Sequence, residues 1–167
     1  MLFNSSVSLE ERWMQIHCLA QMSHFYDEIA DMLHREWSEL PNWHDRDVIR
    51  QRLQSRNAAD AQTMTLFATT HEGELMATAS IIHYELSDIP EREFWLGEVI
   101  TACEHRGKGL ASALVTRLIA EARAKSIPAL WLYTPDQQAL YRRFGWQDVE
   151  QRNIADEDVT VMVLKLD

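Results

Sequence analysis

The chain has 167 residues, 46% of them hydrophobic and 25% charged, and a formal net charge of −10. That size and apolar content suit one globular domain with its own core and exclude disordered, collagen-like and linker classes. The acidic balance disfavours binding to the phosphate backbone of nucleic acid, and no apolar run approaches the roughly 20 residues that a membrane helix needs.

In chain order, residues 1–10 read as a loose start. No basic residue precedes Arg12, and Glu10 and Glu11 interrupt any apolar stretch, so a secretory signal is not expected. Residues 13–19 alternate in part and read as a first strand. From Ser23, the residues Phe25, Ile29, Met32, Leu33 and Trp37 recur at helical spacing, with Ser23 as the expected cap and Pro41 past the exit. Asp45 or Asp47 opens a second helix carrying Val48, Ile49 and Leu53. Thr63–Thr70 and Leu75–Leu86 read as strands joined by the turn His71-Glu72-Gly73-Glu74. An acidic loop, 87–93, leads to a buried strand over Phe94–Thr101. The clearest helix is 107–125, with Leu110, Leu114, Leu118 and Ala122 down one side. Ala129–Tyr133 is a short apolar strand of the kind found at a sheet centre. Gln137–Phe144 is a short helix stopped by Gly145, and Trp146–Glu150 and Val159–Leu166 close the chain as strands. The whole is one mixed α/β domain over residues 1–167.

Charge is unevenly placed. Residues 101–145 carry 7 basic and 3 acidic side chains, whereas the rest of the chain is acidic throughout. That positive segment contains Arg106-Gly107-Lys108-Gly109-Leu110-Ala111, between a strand and a helix. A helix start leaves backbone N–H groups unpaired at the positive end of the dipole. Glycines let a phosphate approach that backbone closely, and Arg can chelate phosphate oxygens. The run fits neither a Walker A loop, since Leu110 follows Lys108-Gly109, nor the GxGxxG fingerprint, since Ser112 stands at the last position.

The run resembles the [Q/R]xxGx[G/A] motif of the GNAT acyl-CoA N-acyltransferases. Leu140-Tyr141-Arg142-Arg143-Phe144-Gly145-Trp146 resembles that family's Tyr-x-x-x-Gly-Phe segment, and the two stand at the family's separation. The resemblance implies a mixed central sheet flanked by helices and splayed between the fourth and fifth strands. It implies acetyl-CoA as co-substrate, with the backbone of Val99, Ile100 and Thr101 on the pantetheine arm. Arg106, Gly107, Lys108, Gly109, Leu110 and Ala111 would hold the pyrophosphate. Tyr141 matches the tyrosine thought to protonate the departing thiolate. Thr134 stands where many members have an asparagine and can still donate a hydrogen bond to the arm. Cys103 stands where many have a proline.

The implied reaction is direct attack of a primary amine on the thioester, which needs a proton acceptor. Glu98, a charge inside an apolar strand, is the leading candidate; the competing reading is a carboxylate paired with a nearby Arg. Alternation puts Glu98 and Ile100 on one face and Val99 and Thr101 on the other. His83 is a lesser candidate. The histidines show no metal-ligand spacing, so no metal site is expected. Cys18 and Cys103 lack a CxxC spacing and fit a reducing, cytoplasmic setting, with Cys103 expected to pack as a free thiol.

The family builds its acceptor site from the first two helices and their loop, here 37–47 with Trp37, Trp43, His44 and Asp45. The loop 85–93, with Glu85, Asp88, Glu91 and Glu93, could attract an amine, but a solvated turn is the preferred reading. These point to a small cationic amine or a peptide amine as partner, with no nucleic acid or membrane and with a homodimer left open. Two other functions compete with catalysis on free amines. One is a non-catalytic acyl-CoA-binding sensor of the same fold. The other is a toxin-type enzyme acting on charged transfer RNA, which the acidic balance opposes.

Overall fold

The computed structural model describes residues 14–167. The loose start expected over 1–10 lies outside the described residues. Seven strands form one mixed sheet in the order β1-β2-β3-β4-β5-β7-β6. The strands are β1 (Met14–Cys18), β2 (Met64–Thr70), β3 (Leu75–His83), β4 (Phe94–Thr101), β5 (Ala129–Thr134), β6 (Gln147–Ile154) and β7 (Glu157–Lys165). The helices are α1 (Tyr26–Trp37), α2 (Arg46–Arg56), α3 (Leu110–Ala124) and α4 (Gln138–Arg143). β2 and β3 are buried almost end to end, as inner strands should be, while most of β1 is half-buried and β6 has no fully buried residue, as suits edges.

The chain separates into two compact units. The first runs through Ser80 and takes in Glu98–Leu118; the second comprises Ile81–Gly97 and Ile119–Asp167. In the first unit, β1 lies antiparallel to β2. Its core gathers Phe25, Ile29 and Leu33 of the α1 segment, Ile49 and Leu53 of α2, Phe67 of β2 and Ile100 of β4. In the second unit, β5 pairs antiparallel with β7 along its whole length, from Ala129↔Lys165 to Thr134↔Thr160. The parallel pairing of β4 with β5 is registered at one position, Trp95↔Trp131, so the ladder does not follow β4 to its end. Trp95 is fully buried there, with Ile82 and Val161.

Several local expectations are corrected. Ser23 does not cap a helix. It opens a short 3-10 turn, Ser23–Phe25, and α1 begins at Tyr26 with no side-chain cap. Asp45 is the cap of α2, its Oδ1 accepting from the N–H of Asp47 at 2.8 Å and of Val48 at 3.4 Å. Val48 is 44% exposed, and Ile49 and Leu53 alone carry the buried face. The sixth strand runs past Glu150 to Ile154, because Ala155 (φ 52°) and Asp156 (φ 67°) make a two-residue left-handed turn into β7. Loss of the cap in Asp45→Ala should lower stability by about 1 kcal/mol, read as a shift of the denaturant midpoint at constant slope.

Candidate active site

β4 leads into the site. Its fifth residue, Glu98, has φ 54°, a left-handed conformation that costs a non-glycine residue about 1–2 kcal/mol. A buried ion pair accompanies it. Arg56, the last residue of α2, places Nη1 2.7 Å from Glu98 Oε1 and Nη2 3.1 Å from Oε2. The two side chains are only 9% and 7% exposed. The expected proton acceptor is therefore a carboxylate with both oxygens turned to a guanidinium. Glu98 and Ile100 do share a face, and it is the face toward the helices: Glu98 reaches Arg56, and Ile100 joins the α1–α2 core.

After β4 the chain makes a short 3-10 turn, Cys103–His105, and then the glycine run. Gly107 (φ 78°) and Gly109 (φ 79°) are both left-handed, and no atom lies within 4 Å of where a Cβ would stand on either. Backbone conformation, not crowding, demands glycine here, and the space above the turn is open. This also corrects the helix boundary: left-handed residues cannot belong to a right-handed helix, so α3 begins at Leu110 rather than 107. Its first backbone bond runs from Ala113 N–H to Gly109 C=O at 3.0 Å, so the earlier N–H groups have no partner within the helix. Leu110, Leu114, Leu118 and Ala122 are buried as the stripe predicts.

The cations of the run are held in place. Arg106 Nε donates to the carbonyl of Thr101 at 3.1 Å, using one of five donors. Lys108 Nζ stands 3.2 Å from His105 Nδ1, and His105 Nε2 stands 2.6 Å from Glu74 Oε2. When Nε2 donates to the carboxylate, Nδ1 is left as the acceptor for the ammonium. Cys103 is exposed rather than packed.

Beside this turn the first unit has a cleft of about 820 Å³. Glu28, Asp31 and Glu36 of α1, Glu72 and Glu74 of the β2–β3 turn and Glu104 line it, together with Thr101, Ala102, Arg35 and Arg106. Six carboxylates face two guanidinium groups, so the cleft is anionic. The α1 carboxylates lie outside the 37–47 loop that the resemblance implies for the acceptor site; their signal in the sequence is three acidic residues, Glu28, Asp31 and Glu36, on one helix. In that loop Trp43 packs on Trp37 with centroids 4.9 Å apart, and the cation over Trp43 is the chain's own Arg52, at 4.5 Å. The acidic loop is likewise engaged within the second unit: Asp88 with Arg152 at 2.9 Å and Glu93 with His83 at 2.6 Å. The bond to Arg152 holds the Asp88 carboxyl below its ordinary range.

The second unit carries Thr134 and Tyr141. Thr134 Oγ1 accepts from Gln137 N–H at 3.0 Å at the entry to α4. Tyr141 is buried, with its ring edge-on to Trp146 at 5.6 Å. Burial pushes its phenol up to about 12. Gly145 (φ 101°) ends α4, with Gly145 N–H bonded to Arg142 C=O and Trp146 N–H to Tyr141 C=O. Among the described residues no group of three or more His, Cys, Asp or Glu side chains is placed to hold a metal ion, and no helix is long and apolar enough to cross a membrane.

These features are those of an acyl-CoA-dependent acetyltransferase. The model of the acetyltransferase (GNAT) family matches residues 25–146, so the chain belongs to that family. No curated protein matches it by sequence. Among solved structures it is similar to yncA of Salmonella typhimurium, solved with acetyl-CoA as its cofactor. The two are 21% identical over 92% of this chain and 94% of that one, with a TM-score of 0.73. A spermidine N-acetyltransferase of Vibrio cholerae, described as dodecameric, is 18% identical over 92% of this chain and 94% of its own, with a TM-score of 0.67. Aminoglycoside 6′-acetyltransferase type Ii is 16% identical over 91% of this chain and 97% of its own, with a TM-score of 0.69. The glycine turn fits the acetyl-CoA that the family uses: two left-handed glycines with open space above them, cations on either side and a helix start behind. Substituting Gly109→Ala places a Cβ on a left-handed residue and should cost about 1–2 kcal/mol, measured by denaturant unfolding.

Proposed function

We propose that the protein is an acetyl-CoA-dependent N-acetyltransferase acting on the primary amine of a small cationic acceptor, and that the whole chain is one catalytic domain. The turn Arg106–Ala111 carries this reading. Its glycines are left-handed with clear space above them, and cations stand beside unpaired helix-start N–H groups, as pyrophosphate binding requires. In this reading Arg106, Gly107, Lys108, Gly109, Leu110 and Ala111 hold the pyrophosphate. The backbone of Val99, Ile100 and Thr101 runs along the pantetheine arm. Thr134, whose oxygen already accepts from Gln137, keeps its hydroxyl hydrogen to donate to the arm. Bound acetyl-CoA supplies an acyl thioester open to attack by an amine.

Tyr141 is assigned to the departing thiolate as a hydrogen-bond donor. A thiol titrates near about 8.5, well below the value of about 12 to which burial pushes this phenol. Donation without full transfer is therefore the lower-energy course, and the phenol stays protonated throughout the working range. The acceptor ammonium must lose a proton before attack. Glu98 occupies the place in β4 that the family resemblance suggested, but both its oxygens face Arg56. We assign the proton to water. The anionic cleft of the first unit favours an acceptor of positive charge. Spermidine and aminoglycosides, named for two of the structural relatives, are of that class. The free thiols Cys18 and Cys103 fit a reducing, cytoplasmic setting.

Calorimetric titration with acetyl-CoA tests the cofactor. Saturable binding should weaken about tenfold to a hundredfold in Arg106→Ala, the loss of one charge-assisted contact. No binding at millimolar acetyl-CoA would reduce the turn to a structural helix start.

Tyr141→Phe should lower kcat about a hundredfold with acetyl-CoA affinity nearly unchanged. An unchanged rate would refute the donor role, and a wild type that binds acetyl-CoA but acetylates no amine would mark a sensor. The wild-type kcat should rise with pH as the acceptor amine loses its proton. It should show no alkaline fall below about pH 10, because the raised phenol is neutral there and begins to ionise only at higher pH.

A further inference from the structure

We infer that Arg56 is a positioning residue for the cofactor: through Glu98 it fixes the direction in which β4 delivers the Val99–Thr101 backbone. The inference rests on the acetyl-CoA reading above. The first observation is the cost of the arrangement. Glu98 takes a left-handed conformation inside a strand even though Gly97 stands next to it. A glutamate in that conformation must be held by something. A carboxylate whose side chain is only 7% exposed also cannot be there for solubility.

The anchor is a continuous polar network reaching from α2 across three strands. Asn57, just past α2, donates to Leu53 C=O at 2.9 Å and to Thr65 Oγ1 at 3.1 Å, and its own Oδ1 accepts from Thr65 N–H at 2.8 Å. Thr65 of β2 bonds Ser80 of β3, oxygen to oxygen, at 2.8 Å. Arg56 Nη1 reaches Ser80 Oγ at 3.4 Å, and the guanidinium grips both Glu98 oxygens. Thr63 Oγ1 donates to the Arg56 carbonyl at 2.8 Å and fixes the base of the side chain. Glu98 is thus pinned in position and direction, because a bidentate pair defines the carboxylate plane. Four residues after Glu98, Ala102 N–H is tied to Met76 C=O at 2.8 Å. Val99, Ile100 and Thr101 are held between these two fixed points, and they are the backbone offered to the pantetheine arm.

The same geometry separates this role from proton acceptance by Glu98. The test uses direct binding as well as turnover. Losing one partner alone would strand a buried charge, so the principal variant is the double replacement Arg56→Met with Glu98→Met. Apolar side chains of similar volume commonly preserve a fold at such a site. Calorimetry with acetyl-CoA should show binding at least about tenfold weaker than wild type. Binding of 3′-phospho-ADP, which has the phosphates but no pantetheine arm, should hold at the wild-type level, because the glycine turn is untouched. The thermal midpoint is measured alongside. Glu98→Gln, which keeps the side chain's shape and a bond to Arg56, should retain most of the acetyl-CoA affinity and leave the shape of the kcat–pH profile unchanged. Arg56→Lys, which keeps the charge but loses the fork, should weaken acetyl-CoA severalfold and serves if the double variant does not fold.

Acetyl-CoA binding as tight as wild type in the double variant, or in Arg56→Lys, overturns the inference. So does a Glu98→Gln enzyme with intact affinity and a flattened pH profile, which would make Glu98 the proton acceptor. Equal weakening of both ligands also overturns it, since that reports a general disturbance. A wild type that does not bind acetyl-CoA at all removes the acetyl-CoA reading itself, an outcome distinct from the others.

Discussion

A guanidinium and a carboxylate, both more than nine-tenths buried, meet where α2 ends and β4 bends. Moving either charge out of water costs several kcal/mol, and attraction between them repays that only with good geometry and further hydrogen bonds. Arg56 and Glu98 have both: two donor–acceptor contacts between them, and Ser80, Thr65 and Asn57 behind. The last residues of β4, the glycine turn and α3 come after this point in the chain. A well-packed apolar pair could give comparable stability, but it would not fix the plane of a side chain or the turn of a backbone to the same degree.

The first unit separates opposite charges over a short stretch of sequence. Arg106 and Lys108 stand at the positive end of a helix, with Arg106 tied to the strand it follows and Lys108 to His105. The cleft next to them carries six carboxylates. The proposed reaction, with a polyanionic donor and a cationic acceptor, would place opposite demands on the protein, which local placement of charge could meet where a uniform net charge could not. Glu74 belongs to both features, lining the cleft while holding His105, which in turn faces Lys108.

Burial at Tyr141 works in one direction. The ring lies against Trp146, and loss of water disfavours the phenolate. The consequence is a donor that stays protonated at any ordinary pH. That suits the role proposed for Tyr141 at a departing thiolate, where a donor must be present before charge appears and need not be spent.

Much of this was legible in the sequence, for local reasons. Period and punctuation locate every strand and helix, because alternation and 3.6-residue spacing are imposed by burial on one face. Gly145 announces the end of α4, and the two motifs stand in family register, whereas Gly107 and Gly109, read into the helix 107–125, are left-handed and precede it. The errors were also local. Ser23 looked like a cap but sits in a 3-10 turn, and nothing in the composition of 151–156 announced the Ala155-Asp156 turn. The sequence by itself determined the elements, the glycine turn before α3 and the place of Tyr141 in α4, since each depends on neighbours a few residues away. Only the tertiary structure decided that Glu98 faces Arg56, 42 residues earlier, that α1 and the β2–β3 turn share an anionic cleft, and that the cation on Trp43 is Arg52. Those pairings are made by the packing of helices on a sheet, and no periodicity within a single segment encodes which side chain another segment will bring to meet it.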